Sequence, residues 1–302
     1  GSMIKSLRLT ALLLLALQLA GCGKSGPPPI LIGITGNSSD ALFSVAEQHQ
    51  FFAHENQPVQ TRRYASASEA GQALAKGEVD AISSDIVETI KLYEQSAWQP
   101  KIVWALAYSN GRHVLLARPG IDNSAALAGK RLAYRQGTLD TLAVYLALQK
   151  AKLPLTQIQH IAAPAGATAE SLSQGSADAL LLPALEAEAL QARLAWPKLY
   201  DSSQSPEILL DVIVGEEKHL QQRGLDFDKM LRALGRAAKI AAPQTGQVWL
   251  GRAQQNIYFA AGGRLADALY HADAALRSVG IAHKPACGRL CIDNRVMDLP
   301  SE

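Results

Sequence analysis

Residues 74–82, Leu-Ala-Lys-Gly-Glu-Val-Asp-Ala-Ile, are echoed by residues 172–180, Leu-Ser-Gln-Gly-Ser-Ala-Asp-Ala-Leu. In each copy a helical pattern ends at a glycine, the residue that most readily takes the left-handed conformation at a helix C-terminus. A tight turn and a short apolar run follow, which is typical of a buried strand. Each copy therefore predicts a helix, a turn and a strand, with Asp80 and Asp178 in matching positions.

A second repeated feature precedes each copy. Residues 30–34 form an apolar strand pattern that ends in the polar turn Thr-Gly-Asn-Ser-Ser-Asp at residues 35–40. Residues 132–134 form another, followed by Gln-Gly-Thr-Leu-Asp at residues 136–140. Both turns hold residues that cap helix N-termini, and a helical pattern follows each. The alternation predicts an α/β fold in which each lobe is a mostly parallel sheet flanked by helices.

Strand patterns also connect the two repeats. Residues 102–108 and 113–118 are strand-like and flank the first connection, and residues 208–214 follow the second. Helical patterns come next, and they are too many to belong to the second repeat. They cover residues 227–241, 248–260 and 265–279. We expect them to return and complete the first lobe.

The predicted boundaries follow from these connections. Lobe 1 is predicted to contain residues 30–108 and 209–302, and lobe 2 residues 109–208. Two crossover strands between the lobes would then serve as the hinge.

The N-terminal region indicates export. Residues 1–2 look like the scar of a removed tag, and Lys5 and Arg8 precede an apolar run that is too short to span a bilayer. The run ends in Leu-Ala-Gly-Cys, which resembles the lipobox of bacterial lipoproteins and implies lipid attachment at Cys22. We expect residues 1–21 to be the tag scar and signal peptide and residues 22–29 to be a lipid-anchored tether. The predicted location is the periplasm or cell surface. The alternative to the lipoprotein signal is an ordinary signal peptide followed by an incidental cysteine.

Composition and motifs exclude several classes of protein. Hydrophobic residues are 48% and charged residues 19% of the 302 residues, which excludes a disordered chain. Without the signal peptide, Lys+Arg falls from 29 to 27 and equals Asp+Glu, so the basic excess of a nucleic-acid binder is missing. There is no G-x-S-x-G, H-E-x-x-H or P-loop motif and no metal-ligand spacing of histidines. We expect a protein that is not an enzyme, has no cofactor or metal and does not bind nucleic acid.

Two further cysteines, Cys287 and Cys291, lie near the C-terminus. In an oxidising compartment they could form a small disulfide loop that fastens the end of the chain. Free thiols and a metal site with His283 are the alternatives, and a metal site would need more ligands than the neighbourhood offers.

Several motifs occur in an order that resembles a known family. They are Gln-Phe-Phe at 50–52 in place of G-x-F, A-L-x-x-G-x-V-D at 73–80, L-x-G-K-x-L-A at 127–133 leading to Gly-Thr at 137–138, and G-x-x-D-A at 175–179. The chain resembles the ABC-importer substrate-binding proteins of the branch that binds nitrate, aliphatic sulfonates, taurine and the thiamine pyrimidine precursor. The resemblance implies a two-lobed periplasmic-binding-protein fold of type II, a monomer, and permease and ATPase subunits as partners.

Two departures from that family limit what the resemblance implies. Residues 181–184 read Leu-Leu-Pro-Ala where many members carry Trp-Glu-Pro, so the ligand cannot be carried over from one relative. The cysteine-rich segment of the pyrimidine-synthase relatives is missing, which argues against an enzymatic branch.

The predicted binding site lies between the lobes. In doubly wound sheets, ligands bind beyond the carboxyl ends of the strands, where helix N-termini offer free N–H groups to anionic or polar ligands. Helix capping alone would also explain many of the polar residues there. The candidate ligand-binding residues are Thr35, Asn37, Ser38, Ser39, Ser83, Ser84, Asp85, Tyr108, Asn110, Arg112, Gln136, Gly137, Thr138 and Pro183.

The function predicted from these features is capture of a small molecule by hinge closure and its delivery to an ABC importer. Three alternatives stay open: a carrier of a lipid or other apolar cargo, a sensor that docks on a membrane signalling partner, and, ranked last, an enzyme derived from the fold. A wide apolar cleft would favour the lipid carrier, and a narrow cleft ringed by hydroxyl groups would favour a small polar solute.

Overall fold

Eleven strands form two sheets in the part of the chain that the computed structural model describes, residues 26–163 and 166–300. The predicted signal peptide, Cys22 and the first residues of the predicted tether lie outside these ranges. In chain order the strands are β1 (Ile30–Ile34), β2 (Val59–Arg63), β3 (Ala81–Asp85), β4 (Pro100–Ser109), β5 (His113–Ala117), β6 (Arg131–Ala133), β7 (Gln159–Ile161), β8 (Ala179–Pro183), β9 (Lys198–Asp201), β10 (Leu210–Glu216) and β11 (Gln247–Trp249).

Helices cover the sheets, and a helix follows the polar turn after β1 and the polar turn after β6, as the sequence predicts. In chain order the α-helices are α1 (Ala41–Gln48), α2 (Phe51–His54), α3 (Ala67–Ala75), α4 (Ile86–Gln95), α5 (Leu139–Gln149), α6 (Ala169–Ser173), α7 (Ala184–Leu194), α8 (Glu217–Gln222), α9 (Gly224–Ile240), α10 (Arg252–Phe259) and α11 (Arg264–Ser278).

The two sheets define two lobes. The first sheet has the order β11-β4-β10-β3-β1-β2 and the second β7-β6-β8-β5-β9. Pairing is parallel between β1, β2 and β3 and between β6, β7 and β8, as expected for strand–helix–strand units. The other pairs are antiparallel, because the strands that join the repeats run the opposite way. Each sheet is therefore mixed, and the predicted parallel pairing does not extend beyond the repeats.

The chain crosses between the lobes twice. It leaves the first sheet after β4 and enters the second at β5, and it returns between β9 and β10. Residues 248–260, predicted to be helical throughout, begin instead with β11, and α10 starts at Arg252. The prediction was wrong there because β11 pairs with β4 at the edge of the sheet and satisfies backbone groups that a helix would have paired internally.

Each repeated aspartate is hydrogen-bonded to the first strand of its own repeat, β1 or β6. Asp80 Oδ2 accepts a hydrogen bond from Leu31 N at 2.7 Å, and Asp178 Oδ2 accepts one from Arg131 N at 2.8 Å. The glycines that end the preceding helical segments are Gly77, with φ of +73°, and Gly175, with φ of +94°. The sequence repeat is therefore a repeated turn that holds neighbouring parallel strands together.

The turns after β1 and β6 are also alike. Gly36 N donates to Asp40 Oδ2 at 2.9 Å, and Gly137 N donates to Thr141 Oγ1 at 2.9 Å. In both lobes a residue four positions later thus accepts the N–H of the turn glycine. The second repeated feature of the sequence is the same turn built with different acceptors.

One hydrophobic core runs through both lobes. Helix α11 packs on α4 of the first lobe and on α5 of the second. The fully buried Leu276 and Leu142 belong to the same cluster. A second cluster, which includes Val114 and Leu180, lies on the other face of the second sheet. Packing therefore joins the lobes in addition to the two crossings.

The C-terminal segment packs against the first lobe. Cys287 and Cys291 have Cα atoms 5.7 Å apart, a separation that a disulfide can span. Ile292 forms a bridge to Ile102 of β4.

Across residues 26–163 and 166–300, no helix is long and apolar enough to cross a membrane. In the same ranges, no three His, Cys, Asp or Glu side chains group closely enough to hold a metal ion.

Candidate functional site

A cleft of about 630 Å³ lies between the two lobes at the ends of the repeated strands. The first lobe contributes the turn after β1, the start of α3, the junction of β3 with α4, and one residue of β10. The second contributes the start of β5, the turn before α5 and the end of β8. The lining residues are Thr35, Gly36, Asn37, Ser38, Ala65, Ser66, Ala67, Ser84, Asp85, Glu88 and Asp211, facing Arg112, His113, Arg135, Thr138, Leu139, Asp140 and Pro183.

A smaller hollow of about 350 Å³ lies between α3 and α4 and ends at Trp98. It shares Ala67 and Glu88 with the cleft, but all its walls belong to the first lobe. Movement of the lobes could close the cleft and could not close this hollow. The cleft is therefore the candidate site.

Arg112 joins the lobes at the base of the cleft. Its Nη1 donates to Ser38 Oγ at 2.8 Å and to Gln247 Oε1 at 2.6 Å. Its Nη2 lies 3.3 Å from Asp211 Oδ2. Gly246 has φ of +76°, and a Cβ there would lie 2.9 Å from Arg112 N, so only glycine allows this close approach. The guanidinium is thus paired before any ligand arrives.

Asp85 lies at the end of β3 and caps α4. Its Oδ1 accepts a hydrogen bond from Glu88 N at 2.9 Å, as an N-cap carboxylate does. Burial, and then the charge of Glu88, raises the pKa of Asp85 to about 8. Burial also raises the pKa of Glu88, although Lys91 Nζ, 3.5 Å from Glu88 Oε1, opposes the shift. Lys91 Nζ donates to Gly137 O at 2.9 Å and so reaches across to the second lobe.

The opposite wall holds a second set of charges. Arg135 Nε lies 3.2 Å from Asp140 Oδ2, and His113 Nε2 lies 3.7 Å from Asp140 Oδ1. Burial, followed by the charges of Arg112 and Arg135, lowers the pKa of His113 to about 3. His113 is therefore neutral at pH 7. Burial raises the pKa of Asp140, although the charge of Arg135 opposes the shift.

Behind this wall, Ser109, His113 and Asp140 form a line that resembles a nucleophile, a base and an acid. Ser109 Oγ lies 2.7 Å from His113 Nδ1 and 2.7 Å from Ser202 Oγ. Gly111 N donates to Ser202 Oγ at 2.7 Å. Because Ser109 is fully buried, its hydroxyl cannot reach a solute in the cleft. The network fixes the backbone where the chain crosses between the lobes.

The structure brings many of the predicted site residues together on the cleft surface. They come from five separate segments of the chain and from both lobes. They are Thr35, Asn37, Ser38, Ser84, Asp85, Arg112, Thr138 and Pro183. Thr138 also caps α5, since its Oγ1 accepts from Asp140 N at 3.2 Å.

The first lobe buries two predicted residues away from the cleft surface. Ser39 is fully buried, and its Oγ donates to Asp211 Oδ2 at 2.5 Å. Ser83 is not a turn residue, because β3 continues to Asp85 and pairs Ser83 with Ile213.

The remaining predicted residues lie near the crossings or behind the second turn. Tyr108 lies near Glu207 and Arg264, whose charges act on it, and burial raises its pKa. Asn110 N donates to Gly246 O at 2.7 Å. Gln136 is exposed outside the cleft. Gly137 is buried near Ile281 and Lys91.

Sequence reasoning missed several cleft residues. Glu88 and Arg135 lie three positions and one position from predicted turns and could have been found by extending those turns, whereas Ser66 lies near none of them. Asp140 and His113 carried no local signal for the site beyond their place beside a turn or a crossing. Asp211 comes from β10, far along the chain, and only the antiparallel pairing of β10 with β3 brings it beside Asp85.

Comparisons with known proteins identify the family and the fold. The family model described as NMT1/THI5 like matches residues 37–245. That range includes both crossings and nearly all of the cleft lining. No curated protein matches the sequence.

Solved structures share the fold at low sequence identity. A protein assigned as the periplasmic sulfonate-binding protein SsuA of a Methylobacillus flagellatus KT sulfonate ABC transporter matches with a TM-score of 0.72 and 13% identity, covering 91% of this chain and 94% of that chain. The periplasmic aliphatic sulphonate binding protein SsuA from Escherichia coli matches with a TM-score of 0.60 and 16% identity over 91% and 84%. A Candida albicans protein with the generic periplasmic binding protein fold matches with a TM-score of 0.62 and 10% identity over 90% and 94%. The chain therefore has the two-lobed periplasmic-binding-protein fold.

Proposed function

The chain belongs to the NMT1/THI5-like family, and from that premise we propose that it is an extracytoplasmic solute-binding protein of an ABC importer. The observation that carries the proposal is the cleft, whose walls come from both lobes and whose base holds the crossings. A solute that touches both walls stabilises the closed arrangement of the lobes. The permease and ATPase subunits of the importer would then accept the closed protein.

The lining of the cleft supports a small polar solute as the cargo. Hydroxyl groups of Thr35, Ser66 and Thr138 face charged groups such as Arg112 and Asp140. An apolar chain would bury these groups without hydrogen-bond partners, at a cost of about 1–3 kcal/mol each. A lipid carrier is thus the weaker proposal. A sensor would close in the same way, and only a transport assay with the importer separates the two.

Anchoring by lipid at Cys22 is part of the proposal. Arg223 Nη2 donates to Pro28 O at 2.7 Å, and its Nη1 donates to Pro29 O at 3.1 Å. These bonds hold the chain on the first lobe just before β1. A tether that starts from a fixed point there would leave the cleft accessible, as a membrane-anchored monomer in the periplasm or at the cell surface requires.

Two further features complete the proposal. Lobe 1 would contain residues 30–108 and 209–302, and lobe 2 residues 109–208, in keeping with the crossings after β4 and before β10.

A disulfide between Cys287 and Cys291 would fasten the segment that packs against β4. Their proximity and the burial of both residues support it.

Native mass spectrometry of the soluble form that starts at Gly23 tests the proposal, combined with extraction of any molecule that co-purifies. We expect a small polar mass that is lost from the double variant Ser38→Ala/Thr138→Ala, because both hydroxyls line the cleft. A matched control, Thr156→Ala/Ser176→Ala, removes two exposed hydroxyls elsewhere in the second lobe and should keep the mass. A lipid-sized mass, or equal retention by both variants, would contradict the proposal.

A further inference from the structure

The cleft has more acidic than basic side chains on its walls. Four carboxylates line it, and two arginines face them. The carboxylates are Asp85, Glu88, Asp140 and Asp211, and the arginines are Arg112 and Arg135. His113, the other titratable group on the surface, is neutral because its pKa is about 3. The walls therefore carry a surplus of negative charge once these acids are ionised.

Both arginines are already paired within the protein. Arg112 lies 3.3 Å from Asp211, and Arg135 lies 3.2 Å from Asp140. A third cation, Lys91, lies behind the wall, 3.5 Å from Glu88. An incoming anion would have to compete with these carboxylates for each cation.

Asp85 is the acid that remains without a cation. Its Oδ1 caps α4, and the two charges that act on it most strongly, those of Glu88 and Asp211, are both negative. Asp211 lies directly opposite on β10, and Glu88 lies one turn along α4. Like charges at such positions repel one another, so Asp85 is held in a place that needs a compensating positive charge.

The helix N-termini around the cleft are also matched by acids of the chain itself. A helix N-terminus attracts anions because its N–H groups and dipole are positive. Here each helix that begins at the cleft has a carboxylate at its cap or in its first turn. These acids are Asp40 at α1, Glu69 at α3, Glu88 at α4, Asp140 at α5 and Glu186 at α7. Of the anionic or polar ligands that the sequence predicted at these termini, the acidic surroundings therefore favour the polar ones.

One cation lies at the mouth of the cleft. The guanidinium of Arg63 lies over Gly36, so close that a Cβ on Gly36 would be 2.4 Å from its Nη2. Arg63 is exposed, so water and salt screen its charge. It could meet a distant anionic end of a ligand, but it does not offset the acids inside.

We propose that the cleft binds a solute carrying a cationic group, seated against Asp85, and that it rejects simple anions such as alkanesulfonates. This inference rests on the proposed function of the cleft as a solute site. It departs from the sulfonates named for the structural neighbours, and it does so because of charges that the fold alone does not determine. A cation beside Asp85 would give this acid a positive partner of the kind that Glu88, Asp140 and Asp211 have within the protein.

An NMR titration of the isotope-labelled form that starts at Gly23 tests the inference with two permanently charged probes, choline and ethanesulfonate. At pH 9.5, where Asp85 is ionised, we expect choline to shift the methyl signals of the cleft residues Ala67, Thr138 and Leu139, and ethanesulfonate to leave them unchanged. Asp85→Asn keeps an N-capping side chain and removes the charge, so choline should bind at least about tenfold more weakly. Asp122→Asn removes an exposed acid outside the cleft and should bind choline as the parent protein does.

The pH dependence gives a second readout. Asp85 holds its proton at pH 6.5 and has released it at pH 9.5, since its pKa is about 8. Choline does not titrate in this range, so its affinity should rise between these values in the parent protein and much less in Asp85→Asn. Ethanesulfonate binding at the cleft, or choline failing to shift the cleft signals, would overturn the inference. A co-purified anion that closes the lobes would overturn it too, while leaving the proposed function in place.

Discussion

Asp80 and Asp178 perform the same task in the two lobes with different partners. Each accepts a hydrogen bond from a backbone N–H of the first strand of its repeat. Asp178 is paired with Arg118 and Arg131, which belong to its own lobe. Asp80 is paired with His219 and Arg223, which lie on the segment that returns to lobe 1 near the end of the chain.

The repeat determines the hydrogen bond between the aspartate and the backbone, whereas the path of the chain determines which cations pair with the aspartate. The aspartate and its bond to the backbone recur because the turn recurs. The ionic partners do not recur, because only the first lobe is built from two separated parts of the chain. Arg223 also holds the carbonyl groups of Pro28 and Pro29, so the cluster around Asp80 joins three distant segments, whereas the cluster around Asp178 is local.

Replacing the two aspartates should therefore have unequal effects. We expect Asp80→Ala to lower the free energy of unfolding by about 3 kcal/mol and Asp178→Ala by about 2 kcal/mol. Each change leaves a strand N–H without its acceptor, but Arg223 beside Asp80 is mostly buried, whereas Arg118 and Arg131 beside Asp178 are partly exposed. Urea unfolding of both variants measures the difference. Glu170→Ala, which removes an exposed ion pair with Arg193, should cost less than about 1 kcal/mol and serves as the control. Equal costs for the two aspartates would show that the longer-range cluster adds nothing.

Asp85→Asn, in contrast, should raise the free energy of unfolding. Because the pKa of Asp85 is raised to about 8 from an ordinary value of 3.8, the folded protein holds a proton that the unfolded chain has released between those pH values. Stability from this group therefore falls as pH rises from about 4 to 8. We expect Asp85→Asn to be more stable than the parent by on the order of 2 kcal/mol at pH 9, with the advantage shrinking towards pH 4. Urea unfolding at pH 5, 7 and 9 measures this, and a constant difference would contradict it.

The two turn glycines offer a finer comparison. Gly36 has φ of +90° and Gly137 has φ of +74°, so alanine is strained at both. A Cβ on Gly36 would meet the exposed end of Arg63, which can move, but a Cβ on Gly137 would lie 3.3 Å from Ile281 in a packed region. We expect Gly36→Ala to cost about 1 kcal/mol and Gly137→Ala about 2 kcal/mol by thermal unfolding. The reverse order would mean that packing between the lobes is looser than described.

The smallest expected effect is the loss of the stability contributed by Asp178 at acid pH. Burial alone would raise the pKa of Asp178, but hydrogen bonds from Arg131 and Arg118 outweigh it and hold the pKa below its ordinary value. This contribution is present above the unfolded pKa and is lost as pH falls through the folded pKa. Both arginines are partly exposed, so the effect should be on the order of 1 kcal/mol. Unfolding at pH 7 and pH 3 should show less acid destabilisation in Asp178→Asn than in the parent, and an unchanged loss would contradict the assignment.

Much of the fold could be predicted because its signals are local. The glycine that ends each repeated helix, the apolar strand after it and the capping turns all appear in a few consecutive residues. The strand β11 was missed because three residues with an apolar pattern do not reveal that they pair with β4. In the same way, the turns that line the cleft were predicted, but Asp211 was not, since β10 reaches the site only through sheet pairing.

The charge balance of the cleft was beyond local reasoning for the same reason. Asp40, Glu88 and Asp140 each look like ordinary acids near helix starts. Their effect on a ligand depends on which cations the fold brings beside them. Lys91 pairs with Glu88 on the same helix and Arg135 with Asp140 in the same turn, but whether an acid elsewhere in the cleft is paired depends on the fold. Arg112 was predicted to lie in the cleft, but its pairing with Asp211 was not.

The most direct test of solute capture between the lobes is the distance across the cleft in solution. Nitroxide labels at Ser68→Cys, beside the cleft residue Ala67, and at Leu185→Cys, beside Pro183, place one exposed label on each lobe. Pulsed electron spin resonance of the form that starts at Gly23, with and without its co-purified solute, measures the separation, and unsubstituted protein controls for labelling at Cys287 and Cys291. We expect the distance between the two labels to shorten when the solute binds. An unchanged distance with bound solute would contradict it.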